Sequence, residues 1–216
     1  MTAYAIIYSD DNAATWTAVT SPFDDFGVVN GIAYNGSVFV AVGYIWVYTS
    51  TDPDDFQSGT YVQHACVATS SDGATWTQRT STFTEGYLSG VVWNGTYFVS
   101  SGAVGSAVVS EHSPTGTTWA AGTVPGGLTP PDHGQAITVN SATVVCAYTE
   151  GTLAWPLVST DGLTFVSGAD GGSFSGSAND IAYGSSHYVL TSFAHVVPVG
   201  ECSDTTALPT APDETK

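Results

Sequence analysis

The chain has 216 residues, 24 of them glycine, and sets 19 acidic side chains against two cations, Arg79 and Lys216, for a formal charge of −17. Such a surface repels phosphate backbones and anionic membranes, which argues against nucleic acid as a partner and against anionic substrates. Glycine and β-favouring residues are frequent, strong helix formers are sparse, and no apolar run reaches the roughly 18 residues of a membrane helix, so the composition points to an all-β chain long enough to bury a core.

The opening residues, Met1 to Tyr8, lack a basic segment and run straight into a strand, so they do not read as a secretory signal. Residues 4–19 predict a hairpin whose turn is Ser9 to Ala14 and whose second strand opens near Trp16. A loop with Pro22, Asp24 and Asp25 follows. Residues 31–43 predict a second kind of hairpin about Asn35-Gly36, a pair that suits a type I′ turn.

Both kinds recur. The first returns at Ser70-Ser71-Asp72-Gly73-Ala74-Thr75-Trp76, at Glu111 to Trp119, and at Ser159-Thr160-Asp161-Gly162-Leu163-Thr164-Phe165. The second returns around Asn94-Gly95, Asn140-Ser141 and Gly184-Ser185, with starts at Ile32, Val91, Ile137 and Ile181. One hairpin of each kind makes four short antiparallel strands. A repeat of roughly 40–50 residues built this way is the pattern of a propeller blade, because a single small sheet cannot cover its own faces.

The first spacing is longer, which places an insertion at about 44–61: either a plain excursion between strands or a degenerate extra hairpin. The chain opens on a hairpin of the first kind, and residues 180–192 are of the second. The expectation is therefore a four-bladed ring over 1–200, closed by pairing these two hairpins; the rival is a crescent that needs a second copy. Residues 201–216 read as an extended tail.

In the turns, Asp72, Asp161 and Asp10 or Asp11 are placed to accept backbone N–H bonds, and Gly73 and Gly162 to supply the tight bend. Trp16, Trp76, Trp119 and Phe165 are the expected plugs between blades. Glu111-His112-Ser113-Pro114 replaces Ser-Asp-Gly in the third unit, so its turn should differ. These hairpins resemble the Asp-box, the Ser/Thr-x-Asp-x-Gly-x-Thr-Trp element of sialidase-like propellers, here one residue shorter between Asp and Gly. Their pairing with Asn-Gly hairpins resembles propeller repeats of bacterial secreted and phage structural proteins, over about residues 4–192. The resemblance implies a propeller fold in which the box is structural and carries no chemistry.

Sialidase-type chemistry takes an arginine cluster, and this chain has Arg79 alone. Glu85, Glu111, Glu150 and the many aspartates form no pattern that singles out an acid and a nucleophile, and they read as solvated acids. His64, His112, His133, His187 and His195 lack zinc-ligand spacing. Asp52, Asp54 and Asp55 offer oxygens that would suit Ca²⁺, but not in EF-hand order, and no cofactor is expected. Cys66 and Cys146 sit in apolar runs as small hydrophobes, and the odd count argues against dense disulfide stapling while leaving room for one bond or an intermolecular link at Cys202. Trp46, Tyr48, Phe56, Tyr61 and Tyr87 are aromatics in less regular segments, open to a glycan or a partner.

The leading expectation is a non-enzymatic virion protein, a capsid decoration or a tail or fibre component, released by lysis and held by other virion proteins or by copies of itself. The alternative is a carbohydrate-binding module or adhesin for neutral, host-surface glycans. A hydrolase of neutral glycans comes third.

Overall fold

The computed structural model describes residues 4–23, 27–50, 59–126, 128, 136–150, 153–168, 174–175 and 177–193. Among them are seventeen strands and no helix, so no helix is long and apolar enough to cross a membrane. Strands β1 (Tyr4–Tyr8) and β2 (Thr17–Thr20) form a hairpin of their own. Sheet one follows in chain order as β3 (Gly27–Tyr34), β4 (Phe39–Thr49), β5 (Thr60–Ser70) and β6 (Thr77–Arg79). Sheet two repeats it as β7 (Tyr87–Trp93), β8 (Phe98–Val104), β9 (Ala107–Ser113) and β10 (Ala120–Ala121). Sheet three is β11 (Ala136–Asn140), β12 (Thr143–Glu150), β13 (Leu153–Ser159) and β14 (Val166–Ser167), with β15 (Phe174–Ser175) also on β13. A last hairpin joins β16 (Ser177–Gly184) to β17 (His187–Phe193).

The sheets stack through layers of apolar side chains, and strand alternation decides which residue enters which layer. Between sheets one and two lie Val40, Val42, Val67, Leu88, Val91, Phe98 and Trp119. The neighbours of Phe98 and Val91 in sequence, Val99 and Val92, point the other way, into the layer with Val144, Tyr148, Leu157 and Phe165 of sheet three. Ile6 and Val19 seat the first hairpin on Ala41 of sheet one, and Ile181 seats the last hairpin on Ala136 and Val145 of sheet three. Each sheet is thus covered by its neighbours in sequence.

The inner strands meet at closest range. A Cβ on Gly31 would lie 2.9 Å from Gly90 Cα, and one on Gly90 would lie 2.7 Å from the Ile137 methyl. Asn30 Nδ2 donates to Leu88 O at 2.8 Å, from sheet one to sheet two. Asn30 is the extra residue of a β-bulge, and the same irregularity recurs at Ser89 in β7 and at Asn179 in β16.

Three expectations change. The ladder between the first and last hairpins is not formed among the described residues: β1 pairs with β2, β16 pairs with β17, and each hairpin is held by packing on the adjacent sheet. The Asn35-Gly36 turn is not type I′, because Gly36 alone of the pair has positive φ (97°). It is a four-residue loop in which Asn35 Oδ1 accepts from Ser37 N and Val38 N, and Asn94 Oδ1 does the same for Thr96 and Tyr97. Two successive positive φ values occur instead at Ser185 and Ser186, in the copy without Asn-Gly. Finally, the insertion at about 44–61 begins as a continuation of sheet one: β4 and β5 stay paired from Phe39↔Ser70 out to Thr49↔Thr60. Residues 51–58, and with them Asp52, Asp54, Asp55 and Phe56, lie outside the described residues, as do His133, His195, Cys202 and the 201–216 tail.

Candidate functional site

The repeated turn is a small hydrogen-bonded device. Ser70 Oγ donates to Asp72 Oδ1 (2.9 Å) and accepts from Gly73 N (2.8 Å), while Asp72 Oδ1 accepts from Ala74 N and Thr75 N (2.9 and 2.7 Å). Ser159, Asp161 and Gly162 repeat these bonds onto Leu163 N and Thr164 N. Gly73 and Gly162 hold φ near +75°, a region that glycine enters without strain. In the first hairpin the closing carboxylate is that of Asp11, not Asp10: it accepts from Thr15 N (2.8 Å) and from Ser9 Oγ.

The third unit has the same turn in a shifted frame. Ser113, Thr115 and Gly116 take the places of Ser70, Asp72 and Gly73, with Ser113 Oγ accepting from Gly116 N at 2.8 Å and Gly116 at φ +77°. Trp119 Nε1 donates to Gly116 O just as Trp76 Nε1 donates to Gly73 O, both at 2.9 Å. The expectation of a different turn came from aligning on Glu111-His112 rather than on Ser113. Thr115 Oγ1 bonds the Thr117 hydroxyl at 2.7 Å, but of the backbone N–H groups of the turn it reaches Thr117 N alone, at 3.4 Å. Thr115→Asp therefore supplies the missing acceptor and is expected to raise stability by about 1 kcal/mol, measured by urea titration; no change would mean that Thr115 already satisfies the turn.

The turns grip the preceding sheet. Gly116 approaches Val40 and Thr69 of sheet one, and Gly162 approaches Asn94 and Val99 of sheet two, where Asn94 Nδ2 donates to Asp161 O. Trp119 and Phe165 are buried in these layers, and Trp76 packs between the first hairpin and sheet one. Trp16 differs: it is exposed.

Hydrogen bonding holds Asp11 and Asp72 at a pKa of about 2, through Thr15 for Asp11 and chiefly the Thr75 backbone for Asp72. Asp161 is lowered in the same direction by the Thr164 and Leu163 backbones. A carboxylate whose pKa falls on folding contributes stability above its unfolded value and loses it as pH falls through the folded one. The thermal midpoint is therefore expected to drop between about pH 4, the ordinary aspartate range, and about pH 2. Asp72→Asn should flatten part of that drop in a calorimetric pH series; an unchanged slope would remove this assignment.

Glu111 was expected among solvated acids and is wholly buried. It sits two residues before Ser113, at the position that Ala68 and Leu157 fill in the other sheets, and strand alternation from Ser113 points it inward. Its Oε2 accepts from Ser81 Oγ (2.9 Å) and Thr82 N (2.8 Å), which ties down the connection between sheets one and two. Oε1 has no partner among the described residues, and burial pushes the pKa up. Nearby His112 rests edge-on to Tyr97, and desolvation lowers its pKa. Arg79 donates through Nε to Thr69 of its own sheet. Among the described residues no three His, Cys, Asp or Glu side chains gather as a metal site. Cys66 and Cys146 are buried, and burial lifts the Cys146 thiol to about 12.

Of the aromatics chosen from sequence, Phe56 lies outside the described residues, Tyr48 meets Tyr61, and Trp46 and Tyr87 both meet Tyr44. Register puts Tyr44, Trp46 and Tyr48 on one face of the long β4–β5 arm, with Tyr61 directly opposite Tyr48. Tyr44 meets Trp46 at 5.7 Å and Tyr87 at 6.4 Å, and Tyr48 meets Tyr61 at 5.1 Å. The rings are edge-on or tilted, not coplanar (interplanar 89°, 68° and 57°). Trp46 and Tyr61 are 41 % and 64 % exposed.

Consecutive four-stranded antiparallel meanders, stacked face to face and locked by a repeated turn, define an all-β repeat protein. No family model matches the sequence, and no curated protein does. Among solved structures, the chain is similar to Trypanosoma rangeli sialidase. With the inhibitor DANA the TM-score is 0.45 at 10 % identity, over 84 % of this chain and 46 % of that one. With 2,3-difluorosialic acid (covalent intermediate) it is 0.47 at 14 %, over 85 % and 37 %. With sialic acid it is 0.42 at 11 %, over 86 % and 47 %. The chain spans less than half the length of these structures.

Proposed function

We propose that this chain is a non-enzymatic assembly or attachment protein, of the kind that decorates a virus particle or forms part of a tail or fibre. One observation carries the reading. Ile7 and Val189 of the first and last hairpins are exposed although their counterparts in the three complete sheets are buried, and Ile32 of β3 is exposed as well, so the molecule presents apolar surface open to an ordered neighbour. The carboxylates with shifted titration have structural tasks: Asp11, Asp72 and Asp161 close turns, and Glu111 holds a connection. Sedimentation of the full chain in buffer of moderate salt, which screens the charge of −17, tests the reading. A stable assembly is expected, and a monomer at every concentration would sink it.

A second reading, recognition of neutral glycans, has the aromatic face of the β4–β5 arm in its favour. Exposed Trp46 and Tyr61 could each stack on one sugar ring, although the tilted set makes no flat platform. A glycan array decides it: binding lost in both Trp46→Ala and Tyr61→Ala would favour this reading, and no binding by the parent chain would end it.

A further inference from the structure

The first and last hairpins are complementary halves of one sheet. Register shows it. In sheets one, two and three, the residue that opens the second strand stands opposite the serine of the turn: Phe39↔Ser70, Phe98↔Ser113 and Val144↔Ser159. That opening residue is itself paired across the inner turn, as Tyr34↔Phe39, Trp93↔Phe98 and Val139↔Val144. The last hairpin has the inner half only, with Tyr183↔Tyr188 in this role. The first hairpin has the outer half only, with Ser9 as the serine of the turn. Laid on the complete sheets, the two fix a single register: Tyr188 opposite Ser9, Val189 opposite Tyr8, Leu190 opposite Ile7 and Thr191 opposite Ile6.

Burial agrees at four positions. Val189 is 60 % exposed, whereas the matching Val40, Val99 and Val145 are buried. Ile7 is 56 % exposed, against buried Ala68, Glu111 and Leu157. Trp16 is 57 % exposed, whereas Trp119 and Phe165 are buried. Ile32 of β3 is 46 % exposed, against buried Val91 and Ile181. The last comparison names a contact. Val40 shares a layer with Val91, and Val145 shares one with Ile181. By the same rule Val189 should share a layer with an Ile32.

We propose that β17 of one copy pairs with β1 of a second copy in this register, which lays Val189 on the second copy's Ile32 and joins copies head to tail. The proposal rests on the assembly reading above and names its partner. It deepens that reading because, among the described residues, each hairpin is seated on its own neighbouring sheet and no ladder joins the two. A second copy would offer each edge the partner strand that it lacks among the described residues. It also brings the second copy's first turn and Trp16 onto Val145 and Val158 of sheet three, as Gly116 and Trp119 lie on Val40 and Thr69 of sheet one. A head-to-tail contact closes as a ring or extends as a filament. Bare edges of this kind favour such pairing.

Single-cysteine variants test it. Val189→Cys and Tyr8→Cys are made separately on a Cys202→Ser background, since Cys66 and Cys146 are buried. One variant carries a size tag. Mild oxidation of the mixture is expected to give a disulfide between differently tagged chains, and the double variant a covalent ladder. Ile32→Asp and Val189→Asp, both at exposed positions, are expected to retain the far-UV spectrum and to move the sedimenting mass at least tenfold in concentration toward monomer. An intramolecular disulfide in a monomeric double variant would overturn the proposal in favour of a single-chain ring. A stable assembly with no cross-link at these positions, insensitive to both aspartates, would overturn the contact while leaving the assembly reading in place. Loss of assembly on deletion of 203–216 alone, without cross-linking, would assign the contact to the tail and overturn it as well.

Discussion

Gly102→Ala is expected to destabilise this protein by about 3–5 kcal/mol, the upper tail for single substitutions. The cause is backbone, not side chain. Gly102 pairs with Leu88, next to the bulge at Ser89, and a Cβ there would stand 2.0 Å from Tyr87 O and 2.9 Å from Leu88 Cα. No rotamer change relieves a clash with a carbonyl, so the ladder of sheet two must part at its centre. Gly43 is in the same place in sheet one, beside the bulge at Asn30, with a Cβ 1.8 Å from Val28 O; Gly43→Ala should behave alike. Gly95→Ala is the contrast. Nothing lies within 4 Å of a Cβ there, but its φ of +93° is left-handed. Only that strain remains, about 1–2 kcal/mol. Urea unfolding of the three variants separates close approach from φ. Equal losses in Gly102→Ala and Gly95→Ala would show that the bulge does not force the glycine.

The bulge also shows what the sequence made legible and what it hid. Alternation and paired turn signals were enough to place the hairpins that build the three sheets, because each depends on contacts within about 20 residues. The aromatic stripe followed from register, once Tyr44, Trp46 and Tyr48 fell on one face. Glycines 43 and 102 stood at matching places in the repeat, yet their reason lay in a bulge on the partner strand, which no local pattern displays. Glu111 was hidden by its residue type: a carboxylate reads as solvated until the strand that carries it is seen to be central. The turn at Ser113 was misaligned because Thr115 stands where an aspartate was sought. Joining the first and last hairpins was inferred from phase alone. Phase establishes that the halves match; whether they meet within one copy depends on the angle between successive sheets, a sum of packing details spread along the whole chain.

Glu111→Ala is expected to cost about 2–4 kcal/mol, since it opens a cavity and leaves the Thr82 N–H and the Ser81 hydroxyl without an acceptor. Glu111→Gln keeps an oxygen toward both donors and, in acid where the carboxyl is neutral, is expected to change stability by less than about 1 kcal/mol. The two differ more sharply in pH dependence. Burial raises the folded pKa of Glu111 above its unfolded value, so the neutral carboxyl is the form the fold prefers. Its contribution is complete below the unfolded value, about 4.3, and is lost as pH rises through the folded value. The sign is opposite to that of Asp11 and Asp72, whose contribution disappears on acidification. Stability should therefore pass through a maximum in mildly acid solution. Glutamine resembles the neutral carboxyl and does not titrate, so the difference between Glu111→Gln and the parent chain isolates this group from the general repulsion of the acidic surface, which both share. Urea midpoints across a pH series are expected to converge in acid and to separate in favour of glutamine toward neutrality. Parallel curves would mean that Glu111 ionises without cost, and the unpartnered Oε1 would then have to reach water.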